Sequence, residues 1–105
     1  MLDVAGVEAA IAKGATPVDA NNADTRKDFG VIPGAVLLTS YKSLEGLPED
    51  KSAELVFYCA QNECSASDKA ADLARTAGYT NTSIFKAGIK GWTEAGKKVQ
   101  TTPQG

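Results

Sequence analysis

Glu54-Leu55-Val56-Phe57-Tyr58-Cys59 runs into Ala60-Gln61-Asn62-Glu63-Cys64-Ser65, and the join between the two decides the fold. The first stretch is apolar on successive residues, not on alternate ones. A strand of that kind is buried on both faces, as a central strand of a parallel sheet is. Small and polar residues then make a loop. Beyond it, Ala66, Ala70, Leu73, Ala74 and Ala77 fall at helical spacing. They predict a helix from about Ser65 or Ser67 to Ala77 with one small apolar face, closed by Gly78.

Working outward, the same alternation repeats. Asp3 is a plausible N-cap for a helix carrying Val4, Val7 and Ile11, with Gly14 as its stop. Thr16 to Ala20 is short enough for a buried strand, and Ala23 to Phe29 can form a short helix closed by Gly30. Ile32-Pro33-Gly34 turns the chain into a strand over Ala35 to Leu38, and a polar stretch runs from Thr39 to Ala53. Downstream, Thr82 to Phe85 reads as a strand, and Ile89 and Trp92 lie on a last short helix that ends near Gly96. Alternating helices and strands call for an α/β fold: a central, mostly parallel sheet with helices on both faces. Ligands in such folds sit outside the carboxyl ends of the strands, and Cys59 stands at such an end.

Composition narrows the chemistry. The chain has 105 residues, 43% of them apolar, which suits one domain with one core over 1–105; the polar residues 100–105 are expected to form a loose tail. Net charge is −2 and no Lys/Arg tract occurs, so neither nucleic acid nor an acidic membrane surface is an expected partner. No apolar run is long enough to span a bilayer. Met1-Leu2-Asp3 does not start a signal peptide, so the expected compartment is the cytoplasm, or the periplasm if a signal was removed. Histidine is absent. That excludes Ser-His and Cys-His pairs, and two cysteines alone do not make a zinc shell, so no metal and no cofactor are expected. A nucleophile here must be activated by backbone dipoles, a helix N-terminus or a Lys/Arg neighbour, and a thiol needs the least help.

Cys59 is the candidate for that role. Backbone N–H groups over Ala60, Gln61, Asn62, Glu63, Cys64 and Ser65 can converge into an anion-binding nest, and a helix N-terminus just beyond adds positive potential. Both favour a thiolate and could hold a persulfide anion. The alternative is a small buried cysteine that only packs.

Four segments in order resemble the rhodanese (sulfurtransferase) domain, over about Asp3 to Val99. These are Pro17-Val18-Asp19, Ile32-Pro33-Gly34-Ala35, Val56-Phe57-Tyr58-Cys59, and Gly78-Tyr79-Thr80-Asn81 with Ala87-Gly88-Ile89-Lys90-Gly91-Trp92-Thr93-Glu94-Ala95-Gly96. The resemblance implies that Cys59 carries a persulfide, taking sulfur from a small donor and passing it to a low-molecular-weight or protein thiol. Five positions depart from the family's pattern. Asn21 stands where Arg usually follows the Asp, and Val31 replaces the histidine before the turn. The loop carries Asn62 and Glu63, with Cys64 where Arg is frequent. A phosphatase of related fold needs Arg six residues past its cysteine, and that position is Ser65. Thiosulfate, a dianion, gains from a basic loop; this loop has none, so a less charged persulfide is the better donor unless Lys69 or Lys86 reaches in.

Cys64 has two readings, a resolving thiol for Cys59 or a small residue filling the helix start. Asp19 either tunes the site electrostatically or holds its floor by bonding loop backbone. Gly88 is expected to make a tight turn beside the site. Trp92 and Tyr79 read as core or capping residues, Lys97-Lys98 as a solvated face, and Ser65 and Ser67 as candidate N-caps. The functional expectation is a single-domain sulfurtransferase or persulfide carrier. The alternatives are a Cys59/Cys64 thiol–disulfide redox module and a non-catalytic interaction domain on the same fold.

Overall fold

A computed structural model describes residues 3–21, 23–38, 46–60 and 66–100. Among the described residues, four helices and four strands follow in the order α1 (Val4–Ala12), β1 (Thr16–Asp19), α2 (Ala23–Phe29), β2 (Val36–Leu37), β3 (Leu55–Tyr58), α3 (Ala66–Thr76), β4 (Thr82–Phe85) and α4 (Gly88–Glu94). The strands form one sheet in the order β2-β1-β3-β4, and every neighbouring pair is parallel. Val18 lies opposite Phe57 and Asp19 opposite Tyr58, while Tyr58 lies opposite Phe85. The carboxyl ends of β1, β3 and β4 are therefore level, and the residues that follow them share one edge of the sheet.

Each face of the sheet is covered, as the continuous apolar pattern of β3 requires. On one face Val56, Tyr58 and Phe85 pack with Val7 and Ala10 of α1 and Ile89 and Trp92 of α4. On the other, Val18, Leu55 and Phe57 pack with Ala70, Ala71 and Ala74 of α3. Successive residues of β3 thus serve opposite cores. The buried face of α3 is Ser67, Ala70, Ala71 and Ala74, a one-residue rotation from the stripe the alanines suggest. Ala77 is exposed, and Ala66 and Leu73 are only half-buried. The spacing 67, 70, 71, 74 is a helical repeat of small side chains, which lets α3 approach the sheet closely.

Local chemistry sets the boundaries. The Asp3 carboxylate accepts the Gly6 amide at 2.8 Å and caps α1. The second strand is shorter than the apolar run Ala35 to Leu38, because the Ala35 amide closes the preceding turn onto Ile32 O at 3.0 Å. Gln100 is not part of a loose tail. It forms an isolated antiparallel bridge with Val31, with bonds of 2.8 and 2.9 Å. Gly30 makes room for this return, since a Cβ there would lie 3.0 Å from the Val99 side chain and 3.1 Å from Gln100 O. Lys97 is tied as well, to Glu8 at 2.9 Å, so only Lys98 of that pair fits the expected solvated face. Among the described residues no helix is long and apolar enough to cross a membrane.

Candidate active site

The site is built on the level carboxyl ends of β1, β3 and β4. Cys59 follows β3 directly and is 3% exposed, so it is buried at the strand end. Its backbone is fixed from above. Cys59 O accepts the Ile89 amide at 2.9 Å, and Ala60 O accepts the Lys90 amide at 3.0 Å. The first turn of α4 thus spends its free N–H groups on the two residues where the strand becomes a loop. Gly88 makes that contact feasible. Its φ is +65°, and a Cβ would stand 2.4 Å from Cys59 O and 2.7 Å from the Ala60 carbonyl. Gly88 is therefore the point where two backbones touch beside the cysteine.

Asp19 is wholly buried at the end of β1, and a buried carboxylate needs partners. One oxygen accepts the Asn21 amide at 2.7 Å and Arg26 Nε at 3.1 Å. The other accepts the Tyr58 hydroxyl at 2.7 Å. The Tyr58 hydroxyl oxygen in turn accepts the Ile32 amide at 3.0 Å, which ties the Ile32-Pro33-Gly34 turn to β3. Arg26 Nη2 donates to Asp19 O at 3.0 Å and Leu38 O at 2.8 Å, closing the gap between β1 and β2. Burial first, then the Asp19 charge and the hydrogen bond to it, push the Tyr58 phenol far above its ordinary range. This network holds the strand ends in register under the cysteine. Among the described residues, its one backbone amide on the Asp19 carboxylate is that of Asn21, in the turn after β1. Arg26 and the Tyr58 hydroxyl carried no sequence signal, because Tyr58 reads as one more apolar residue of β3 and Arg26 as an exposed helix residue.

The charges around the site follow from the same alignment. Lys86 leaves β4 level with Cys59 but pairs with Asp68 in the first turn of α3. Lys69 lies on the exposed side of α3. A third cation, Lys90, was not singled out in the sequence. It is on the helix tied to Ala60, with Nζ 5.7 Å from the centroid of the Phe29 ring. Trp92 and Tyr79 serve packing: Trp92 Nε1 donates to Lys98 O at 2.7 Å, and Tyr79 OH to Pro48 O at 2.5 Å. Ser67 lies inside α3, one residue past its start, and is buried there, so it does not cap the helix. The expected loop residues Gln61, Asn62, Glu63, Cys64 and Ser65 lie outside the described residues. Cys59 itself is held in a disulfide in this structure and is not a free thiol.

The arrangement is a strand-end cysteine between a helix-tied loop and a buried charged floor, on a four-stranded parallel sheet. The model of the rhodanese-like domain matches residues 3–95, and the chain belongs to that family. Solved structures agree on the fold. The BH2092 protein of Bacillus halodurans is 25% identical with a TM-score of 0.79, the match covering 96% of this chain and 76% of that one. The rhodanese-like domain of the Alr3790 protein from Anabaena sp. is 24% identical with a TM-score of 0.76, covering 100% of this chain and 85% of the other. A protein of Rhodopseudomonas palustris described as a possible tyrosine phosphatase is 23% identical with a TM-score of 0.76, over 95% and 83% of the two chains. No match was found among curated proteins.

Proposed function

We propose that this domain transfers sulfane sulfur through a persulfide on Cys59. The observation that carries the reading is the position of Cys59: buried at the carboxyl end of β3, with its own carbonyl and that of Ala60 tied to α4, in a chain of the rhodanese-like family. Once a thiol reductant has opened the disulfide, the Cys59 thiolate attacks the outer sulfur of a donor R–S–SH. The new S–S bond forms as the donor's S–S bond breaks, giving Cys59–S–SH and R–S⁻. An acceptor thiolate then attacks the outer sulfur, forming its own persulfide and restoring the Cys59 thiolate. Loop N–H groups from Ala60 to Ser65 hold the persulfide anion. The pairing of Lys86 with Asp68 supports a donor of low charge over the thiosulfate dianion. Phosphatase chemistry has no such support, since the residue six past Cys59 is Ser65.

One observation favours a second reading. Cys59 is disulfide-bonded, and Cys64, the chain's other cysteine, is the proposed partner. The pair would then exchange electrons with a partner protein's dithiol or disulfide. Intact mass separates the two readings. The reduced protein is incubated with cysteine persulfide or with thiosulfate, as wild type, Cys59→Ser and Cys64→Ser. A gain of one sulfur that needs Cys59 and survives Cys64→Ser establishes transfer. Loss of two hydrogens that needs both cysteines, with no sulfur gained, establishes the redox module.

A further inference from the structure

Among the described residues, one buried side-chain polar atom has no hydrogen-bond partner. Asn21 is 7% exposed, and its side-chain Nδ2 makes no hydrogen bond. A buried amide donor left unpaired is costly, and native folds rarely keep one without a use. Its place in the fold is specific. Asp19 lies opposite Tyr58, and the Ala20 amide continues the ladder by donating to Tyr58 O at 3.0 Å. That register sets Ala20 beside Cys59, and Asn21 follows on the turn just beyond the end of β1. The Asn21 backbone is fixed too, its amide donating to the Asp19 carboxylate at 2.7 Å. The donor is therefore carried on an immobilised turn at the edge of the sheet where Cys59 emerges. The guanidinium that pairs with Asp19 comes from Arg26 on α2, not from the position of Asn21. Other features carry less. A cavity of about 260 Å³ among Glu8, Ile11, Ala12, Ile32, Pro33 and Trp92 excludes Cys59, and nothing indicates its occupant.

We infer that Asn21 is the specificity-determining donor of the Cys59 site, its carboxamide N–H reserved for the sulfur anion at Cys59. The inference rests on the sulfur-transfer reading for its substrate. A single neutral donor matches a thiolate or monoanionic persulfide. It does not compensate a second charge, so it selects against dianionic donors in a way a guanidinium would not.

The test uses the full chain, reduced, with Asn21→Leu and Asn21→Asp. Three quantities are read: melting temperature, the rate of sulfur uptake from cysteine persulfide by intact mass, and the pH profile of Cys59 alkylation by iodoacetamide. Asn21→Leu removes an unpaired donor at similar volume. It should melt no lower than wild type, take up sulfur about tenfold more slowly, and be alkylated with a profile displaced to higher pH. Asn21→Asp replaces the donor with a like charge and should be slower still. Uptake within twofold of wild type with an unmoved profile overturns the inference. So does a melting temperature several degrees lower in Asn21→Leu, because Nδ2 then has a partner within the fold. If wild type takes up no sulfur, the transfer reading fails by itself and the alkylation profile decides alone. A displaced profile keeps Asn21 as the donor to the thiolate, and an unmoved one removes both.

Discussion

The Tyr58 hydroxyl donates to Asp19 at 2.7 Å across the two central strands and accepts the Ile32 amide at 3.0 Å through the same oxygen. One atom thus joins β1, β3 and the Ile32-Pro33-Gly34 turn, one residue before the cysteine. Tyr58→Phe keeps the ring and strips a partner from both a buried carboxylate and a buried amide. Each orphaned group costs about 1–3 kcal/mol, so urea unfolding should show a loss of about 2–4 kcal/mol with an unchanged m-value. A loss under about 0.5 kcal/mol would mean that water replaces the hydroxyl.

The same phenol makes stability depend on alkaline pH. In the unfolded chain Tyr58 titrates near 10.0, whereas in the fold burial and Asp19 hold it protonated well above that value. Its stabilising contribution is complete below about pH 10. As pH rises further the unfolded state sheds a proton that the folded state keeps, so stability falls by about 1.4 kcal/mol per pH unit from this group. Unfolding curves from pH 9 to 11.5 should show that slope in wild type over and above Tyr58→Phe. Parallel curves for the two proteins would contradict it.

Gly88 and Gly96 separate backbone strain from contact. Both have positive φ, +65° and +77°, but a Cβ at Gly96 meets nothing within 4 Å, while one at Gly88 meets Cys59 O at 2.4 Å. Gly96→Ala should cost only the conformational term, about 1 kcal/mol. Gly88→Ala must also push α4 off the Cys59–Ala60 carbonyls. Its sulfur uptake should fall at least tenfold, with a stability loss larger than that of Gly96→Ala. Equal behaviour of the two variants in both assays would remove Gly88 from the site.

The Lys86–Asp68 pair is partly exposed, at 24% and 38% of the side chains, so it contributes about 0–1 kcal/mol. Its larger effect is on charge at the sheet edge. Asp68→Asn should leave the melting temperature within a few degrees and speed sulfur uptake from thiosulfate several-fold at low salt. The gain should fade toward 0.5 M salt as screening rises. No gain at low salt would show that Lys86 does not reach the donor.

The strand-loop-helix around Cys59 was legible because its signals are local. A continuous apolar run, a break and a helical repeat place β3 and α3 within a residue or two. The bounds of α2, Ala23 to Phe29, and of β4, Thr82 to Phe85, could also be read directly from capping glycines and composition. What could not be read depends on tertiary contact. Arg26 reaches Asp19 only after α2 folds back along the sheet end. Gln100 finds Val31 from 69 positions away. The α3 face was misread by one residue because alanine is equally at home buried or exposed, so a stripe of alanines fixes the helix and not its rotation. Asn21 looked like the loss of an arginine; its unpaired amide is visible only once every neighbour is in place.

The strand order has a consequence for how the chain acquires its shape. The central pair, β1 and β3, joins Val18 to Phe57, 39 positions apart, with β2 hydrogen-bonded on the outer side of β1. As the chain emerges from a ribosome, β1 and β2 can pair only at an edge, and neither core face can close until β3 has followed. The floor under Cys59 thus cannot assemble before Tyr58 is made, and α4 cannot seal it until Gly88–Glu94 has followed. Closing the core therefore rests on long-range pairing, which is slower than local contact, and Val18 of β1 lacks its β3 neighbour Phe57 until then.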